Sequence, residues 1–158
     1  MSLKILLSGD LHIGMKFNGY PENLRQQLTE ARFQVLDRLI EQANENECHL
    51  LVIAGDLFDK TTVPARDVER VAVTLDKFAG DCVLVMPGNH DYDNGMSTLW
   101  SSFKKRLSGK TVLLNEFRPY YLQEYDLDVA VYPAPCQRKH SGKNNLGWMA
   151  QQIRLEAA

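Results

Sequence analysis

Three short stretches of this chain carry side chains whose types and spacing could do chemistry. They are Ser8-Gly9-Asp10-Leu11-His12-Ile13-Gly14, Gly55-Asp56-Leu57-Phe58-Asp59 and Gly88-Asn89-His90-Asp91. Each sets carboxylate, amide or imidazole groups just past a short apolar run, where a strand would end and a loop begin. Asp10 and His12 are separated by one residue, so on an extended chain both point to one side and can reach one ion. Asp56 has two oxygens and can bridge two cations, while Asn89 offers a neutral amide oxygen and His90 an imidazole. This donor set mixes O and N without thiolate, which favours Mn, Fe, Zn or Mg over copper or iron–sulfur chemistry. Two such ions about 3.5–4 Å apart activate water and polarise a phosphoryl oxygen. Taken singly, the residues have plainer roles: Asp10 and Asp59 as cap or turn residues, His12 as a hydrogen-bonded surface histidine, Asp91 as an orienter of its neighbour. Recurrence at three matching points favours the metal site.

The elements that must position these groups read as alternating strands and helices. Leu3 to Ser8, Leu50 to Ala54 and Cys82 to Met86 are short, apolar and β-compatible, as buried parallel strands are. Between them, Leu24, Leu28, Ala31, Val35, Leu36, Leu39, Ile40 and Ala43 recur at steps of three and four, an amphipathic helix that ends near Asn44-Glu45-Asn46. A second helix is expected from Pro64 to Ala79, with Pro at its start and Gly80 past its end. A third is expected from Ser97 to Leu107, burying Trp100, Phe103 and Leu107. The order βαβαβα predicts a parallel sheet with right-handed crossovers, and ligands of such sheets sit at the carboxyl ends of the strands. All three polar stretches fall there.

Beyond Gly109 the pattern changes. Thr111 to Leu114, Arg118 to Leu122 and Asp128 to Tyr132 are short β-rich runs, expected to form part of a second or mixed sheet. The loop Pro133 to Asn145 is polar and basic, and Leu146 to Leu155 is expected to be a short helix anchored by Trp148, Met149, Ile153 and Leu155. The whole is expected to be a single domain over residues 1–158.

Composition removes several function classes. A net charge of −2 and a pI near 6.1 supply no global field for nucleic acid, so such binding would rest on local patches or on metal ions. The Lys104-Lys105-Arg106 run is expected to be a solvated helix end that complements the helix dipole. No apolar run is long enough to span a bilayer, and no signal peptide is seen. Cys48, Cys82 and Cys136 form no C-x-x-C pair and read as inert thiols of a reducing, cytoplasmic compartment. His49 reads as structural. Neither G-x-G-x-x-G, a Walker loop nor G-x-S-x-G occurs, which disfavours dinucleotide, nucleotide-hydrolase and serine-hydrolase readings.

Asp10-Leu11-His12, Gly55 to Asp59 and Gly88 to Asp91 resemble the first three signature blocks of the calcineurin-like metallophosphoesterases. The 46 residues from Asp10 to Asp56 and the 33 from Asp56 to Asn89 fit that family. The opening Gly-Asp-Leu-His-Ile-Gly, and the Tyr132-Pro133-Ala134-Pro135-Cys136 stretch followed by Arg138-Lys139, resemble its DNA repair exonuclease (SbcD-type) branch. The resemblance implies an αββα sandwich, here incomplete, with a βαβαβα first half and part of a second sheet. It implies Asp10 and His12 on a first metal, Asp56 bridging, and Asn89 on a second metal. His90 would stabilise or protonate the leaving oxygen, and Asp91 would orient His90. It further implies Mn as the usual ion, phosphodiester hydrolysis on DNA, a homodimer and an SMC-like coiled-coil ATPase partner.

One departure stands out: the family's later histidine and Gly-His-x-His blocks have no counterpart, since His140 matches neither. A C-terminally truncated catalytic domain is therefore expected, with partial metal occupancy at Asp10/His12/Asp56, little activity alone and uncovered apolar surface. The alternatives are a phosphomonoesterase or cyclic-nucleotide phosphodiesterase, or a non-catalytic domain that keeps the scaffold to bind DNA or a partner.

Overall fold

A computed structural model describes residues 2–157; the terminal residues 1 and 158 of the expected domain lie outside it. Four parallel strands form the main sheet in the order β1 (Ile5–Ser8), β2 (Leu50–Ala54), β3 (Cys82–Met86) and β4 (Thr111–Leu113). Three helices connect them: α1 (Glu22–Glu45), α2 (Ala65–Leu75) and α3 (Thr98–Arg106). Because every crossover steps one strand in the same direction, right-handed connections put all three helices on one face.

Period-2 alternation in the strands divides the interior into two cores. Leu51, Ile53, Val83 and Val85 face the helices and meet Phe33, Leu36 and Ile40 of α1, Val71 and Leu75 of α2, and Trp100 and Phe103 of α3. Leu50, Cys82 and Leu84 face the other way and meet Leu114, Tyr120, Leu122 and Leu127. That second core is roofed by a two-stranded antiparallel sheet, β5 (Tyr120–Tyr121) with β6 (Ala130–Val131), joined through a 3₁₀ turn at Gln123–Tyr125. Tyr120 turns inward and Tyr121 outward, where its hydroxyl, like that of Tyr132, donates to Glu156 of α4 (Gly147–Ala157). The layers thus run α, β, β, α, with the second half thin.

Three expectations need correction. Thr111 to Leu113 belongs to the first sheet, not the second: Val83, Leu84 and Val85 pair in parallel with Thr111, Val112 and Leu113. The fourth parallel strand follows from α3, which is long enough to return the chain to the same sheet. Helix α2 stops at Leu75 rather than Ala79. Its continuation is diverted by the Asn44 side chain, which donates to the Lys77 carbonyl and accepts from the Ala79 N–H. Finally, α4 buries none of its residues, and Ile153 and Leu155 are exposed. Trp148 alone is an aromatic anchor, packed against Phe117 and Tyr132 with its indole N–H on the Pro133 carbonyl.

The thin roof leaves the β1 end of the sheet open. Ile5 and Leu7 share the face of Leu50 and Val52 by register, yet Leu7 is 68% exposed. The expected uncovered apolar surface is this edge. Among the described residues no helix is long and apolar enough to cross a membrane.

Candidate metal centre

The first two polar stretches are zipped together beyond the ends of β1 and β2. Asp10 N–H donates to the Gly55 carbonyl, His12 N–H to Asp56, Ile13 N–H to Leu57, and Asp59 N–H back to Ile13. Leu11, Ile13, Leu57 and Phe58 are buried beneath them, so the loops are nailed to the core by alternate residues while their polar side chains stay above. Asp10, His12 and Asp56 all sit in the left-handed region, with φ of 54°, 48° and 54°. Backbone strain of this kind in residues with side chains is held in place by its surroundings and gathers at functional sites. The extended geometry expected for Asp10 and His12 is therefore replaced by left-handed turns, yet the two side chains still converge.

The third stretch enters at van der Waals contact. A Cβ built on Gly88 would overlap Asp56 Oδ1 and lie 2.5 Å from the Asp56 nitrogen. Only glycine lets the β3 exit approach so closely. Asp56 is then gripped from that side: its Oδ1 accepts the His90 N–H at 2.9 Å and its Oδ2 pairs with His90 Nδ1 at 3.0 Å. Burial opposes the charged form of Asp56, but the hydrogen bonds and charge of His90, with the charge of His12, hold its carboxyl below the ordinary value.

His12 Nε2 lies 3.8 Å from Asp10 Oδ1 and 3.8 Å from Asp56 Oδ2. Its other nitrogen, Nδ1, is 3.1 Å from Asp59 Oδ1. A carboxylate only accepts, so in the neutral ring the hydrogen sits on Nδ1 and the Nε2 lone pair faces Asp10 and Asp56. Three acceptor atoms thus converge with no hydrogen between them. Among the described residues the ion pairs of Asp10 and Asp56 are to histidines alone. A cation satisfies such a constellation, and the donor set fits a divalent ion of the Mn, Fe, Zn or Mg group.

Single donor atoms of His12, Asp56 and His90 come within 4.8 Å of one another. Of the expected ligands, His12 and Asp56 are in this cluster and Asp10 borders it, with an exposed side chain. Asn89 is exposed on the β3 exit loop, one residue before His90. His90, expected to stabilise or protonate the leaving oxygen, also has a donor atom within this group.

Two aspartates have roles that sequence reasoning assigned differently. Asp59 is no mere cap, because it fixes the tautomer and direction of His12, as carboxylates do behind metal-binding imidazoles. The signal was available in the Asp56-x-x-Asp59 spacing, but only the pairing of the two loops brings Asp59 to His12. Asp91 does not orient His90. It is 0% exposed, and its two oxygens accept the N–H groups of Asp56 (3.2 Å), Phe58 (3.0 Å) and Gly88 (2.6 Å). It is a staple between the β2 and β3 exit loops, and Trp100 of α3 in turn donates to its carbonyl. Burial, with the nearby Asp56 charge and against the bonds from Phe58 and Gly88, pushes the Asp91 carboxyl up to about 6.

With this geometry in view, comparison with known families is decisive. Residues 3–147 match the calcineurin-like phosphoesterase family. The chain belongs to that family. Its members are metal-dependent phosphoester hydrolases, and His12, Asp56 and His90 form a possible metal-binding triad at the strand ends. The α/β architecture agrees, with a four-stranded parallel sheet and a reduced second layer.

Proposed function

We propose that this chain is the metal-binding part of a phosphodiesterase acting on DNA ends. The observation that carries the reading is the convergence of His12 Nε2, Asp10 and Asp56 as acceptors alone, backed by Asp59. His12, Asp56 and Asp10 would hold one ion, and Asp56 with Asn89 would contribute to a second. A bound divalent ion supplies charge neutralisation and an activated water for in-line attack on phosphorus.

The chain's own residues do the rest. Asp59 keeps the His12 lone pair turned inward. His90, 42% exposed in its side chain and hydrogen-bonded to Asp56, stands at the mouth, where an imidazolium can give a proton to the departing oxygen. Asp91 maintains the register of the two loops that carry Asp56 and His90.

The exonuclease reading, with Mn as the ion, is supported by the Gly9 to Gly14 sequence and by the Tyr132 to Cys136 loop. That loop lies against the site, since Cys136 N–H donates to the Pro87 carbonyl and Asp93 N–H to Cys136. The open β1 edge suits a homodimer or a coiled-coil ATPase partner, and the unpaired thiols suit a cytoplasmic setting. The test is Mn²⁺ calorimetry together with turnover of a bis-aryl and a mono-aryl phosphate. Saturable binding is expected, lost in Asp56→Asn and weakened about 10- to 100-fold in Asp59→Asn. Preference for the diester is expected, and turnover of the monoester alone would make the protein a phosphomonoesterase. Absence of saturable Mn²⁺ binding would leave the scaffold reading instead.

A further inference from the structure

Immediately past His90 and Asp91 the chain lines a cleft of about 700 Å³, a volume in the range of small-molecule sites. One wall carries Tyr92 and Met96, and the other carries Gln137, Arg138 and Lys139, with Asn115 among the lining residues. The walls are fixed to each other and to the metal centre. Asp93 N–H donates to the Cys136 carbonyl at 3.0 Å, and Cys136 N–H to the Pro87 carbonyl at 3.1 Å.

The lining is unusual for this chain. It sets two adjacent cations, neither in an ion pair with a described residue, beside an aromatic ring, a thioether and three side-chain amides. The single carboxylate present, Asp93, is engaged on both oxygens, by the Gly95 N–H at 3.0 Å and by the Asn115 amide at 2.9 Å. Met96, one of the lining residues, is a large apolar side chain that is 86% exposed. Cations match phosphate, amides match base edges, and a ring with a flexible thioether matches the face of a base. A small phosphomonoester would fill the metal centre and use none of this.

We propose that the cleft is the subsite for the nucleotide beside the scissile phosphodiester, with Arg138 and Lys139 on its phosphate and Tyr92 and Met96 against its base. The proposal rests on the phosphodiesterase reading and names the residues that hold the strand beside the metal centre. It also explains how an acidic chain can engage nucleic acid, through a local patch next to the metal rather than a global field.

The experiment is fluorescence anisotropy of a labelled single-stranded phosphorothioate thymidine oligonucleotide with Mn²⁺ present, which reads binding without turnover. Arg138→Gln with Lys139→Gln is expected to weaken binding at least tenfold at about 0.1 M salt. It should also reduce the slope of log K against log salt by about 0.7, the one phosphate that the pair holds on a single strand. Tyr92→Ala is expected to weaken it about fivefold or more, with Tyr92→Phe restoring it. Lys104→Gln with Lys105→Gln removes the same charge from the end of α3 and is expected to bind as the parent does. Equal losses from the two charge-neutralised pairs, an unchanged Arg138/Lys139 variant, or no binding by the parent would each overturn the subsite. None of those results touches the phosphodiesterase reading, which stands or falls on Mn²⁺ binding and small-diester turnover.

Discussion

Gly88→Ala tests the approach of the β3 exit loop to Asp56. The added Cβ would lie 2.5 Å from Asp56 N and 2.9 Å from Asp56 Cγ, whereas ordinary contacts begin at 3.4 Å. The β2 and β3 exit loops must therefore part by roughly 1 Å. Neither can give way freely. Asp91 ties Gly88 N–H to the Asp56 and Phe58 N–H groups, and Leu57 and Phe58 are buried at 0% exposure. Overpacking of such a site costs about 1–3 kcal/mol, and weakening one or two buried hydrogen bonds adds about 1 kcal/mol. The expected total is about 2–4 kcal/mol, or a thermal midpoint lowered by about 5–10 °C for a chain of this size. Because Asp56 is the group displaced, Mn²⁺ affinity measured by calorimetry should fall at least about tenfold. Gly109→Ala, whose Cβ meets nothing within 4 Å, is the matched control and should stay within about 0.5 kcal/mol. Parent-like melting and metal binding in Gly88→Ala would refute the claim that backbone contact at Gly88 positions Asp56.

Two further outcomes follow from burial. The Asp91 carboxyl is raised from 3.8 to about 6 in the folded chain, so its stabilising contribution is complete below about pH 3.8 and is lost as pH rises through about 6. Urea unfolding in EDTA should therefore show the parent losing stability relative to Asp91→Asn between pH 4 and 7, on the order of 2–3 kcal/mol; a difference growing the other way would refute the assignment. The two faces of the sheet should also respond unequally to the same truncation. Leu51→Ala, at 0% exposure, should cost about 2–5 kcal/mol, and Leu7→Ala, on the open edge, under about 1 kcal/mol by denaturant unfolding. Equal costs would mean that the β1 edge is covered.

The regular elements were legible because local patterns governed them. β2 and β3 occupy the residues read from apolar runs bounded by turn residues, and α1 and α3 end within two or three residues of their expected limits. Failures came where distant groups intervened. Asn44 diverts the chain after Leu75 across 33 and 35 residues of separation, and β4 joins the first sheet because an open edge on β3 was waiting for it. The α4 anchors were misjudged because its amphipathic pattern names apolar residues without saying what faces them.

For the site, residue types alone determined the chemistry: hard O and N donors after three strands, with no thiolate, whatever the fold did with them. The parallel order was also implied, and with it the end of the sheet where those donors would meet. Tertiary structure alone decided which donors converge and which hold the others. It made Asp59 the partner of His12, turned Asp91 from His90 to three backbone N–H groups, and drew His90 onto Asp56. The physical reason is one of scale. Donor type is a property of a single residue, and strand order of a local pattern. The direction of a hydrogen bond, by contrast, depends on ångström-level approach between loops more than 30 residues apart, and glycine at position 88 permits that approach without announcing it.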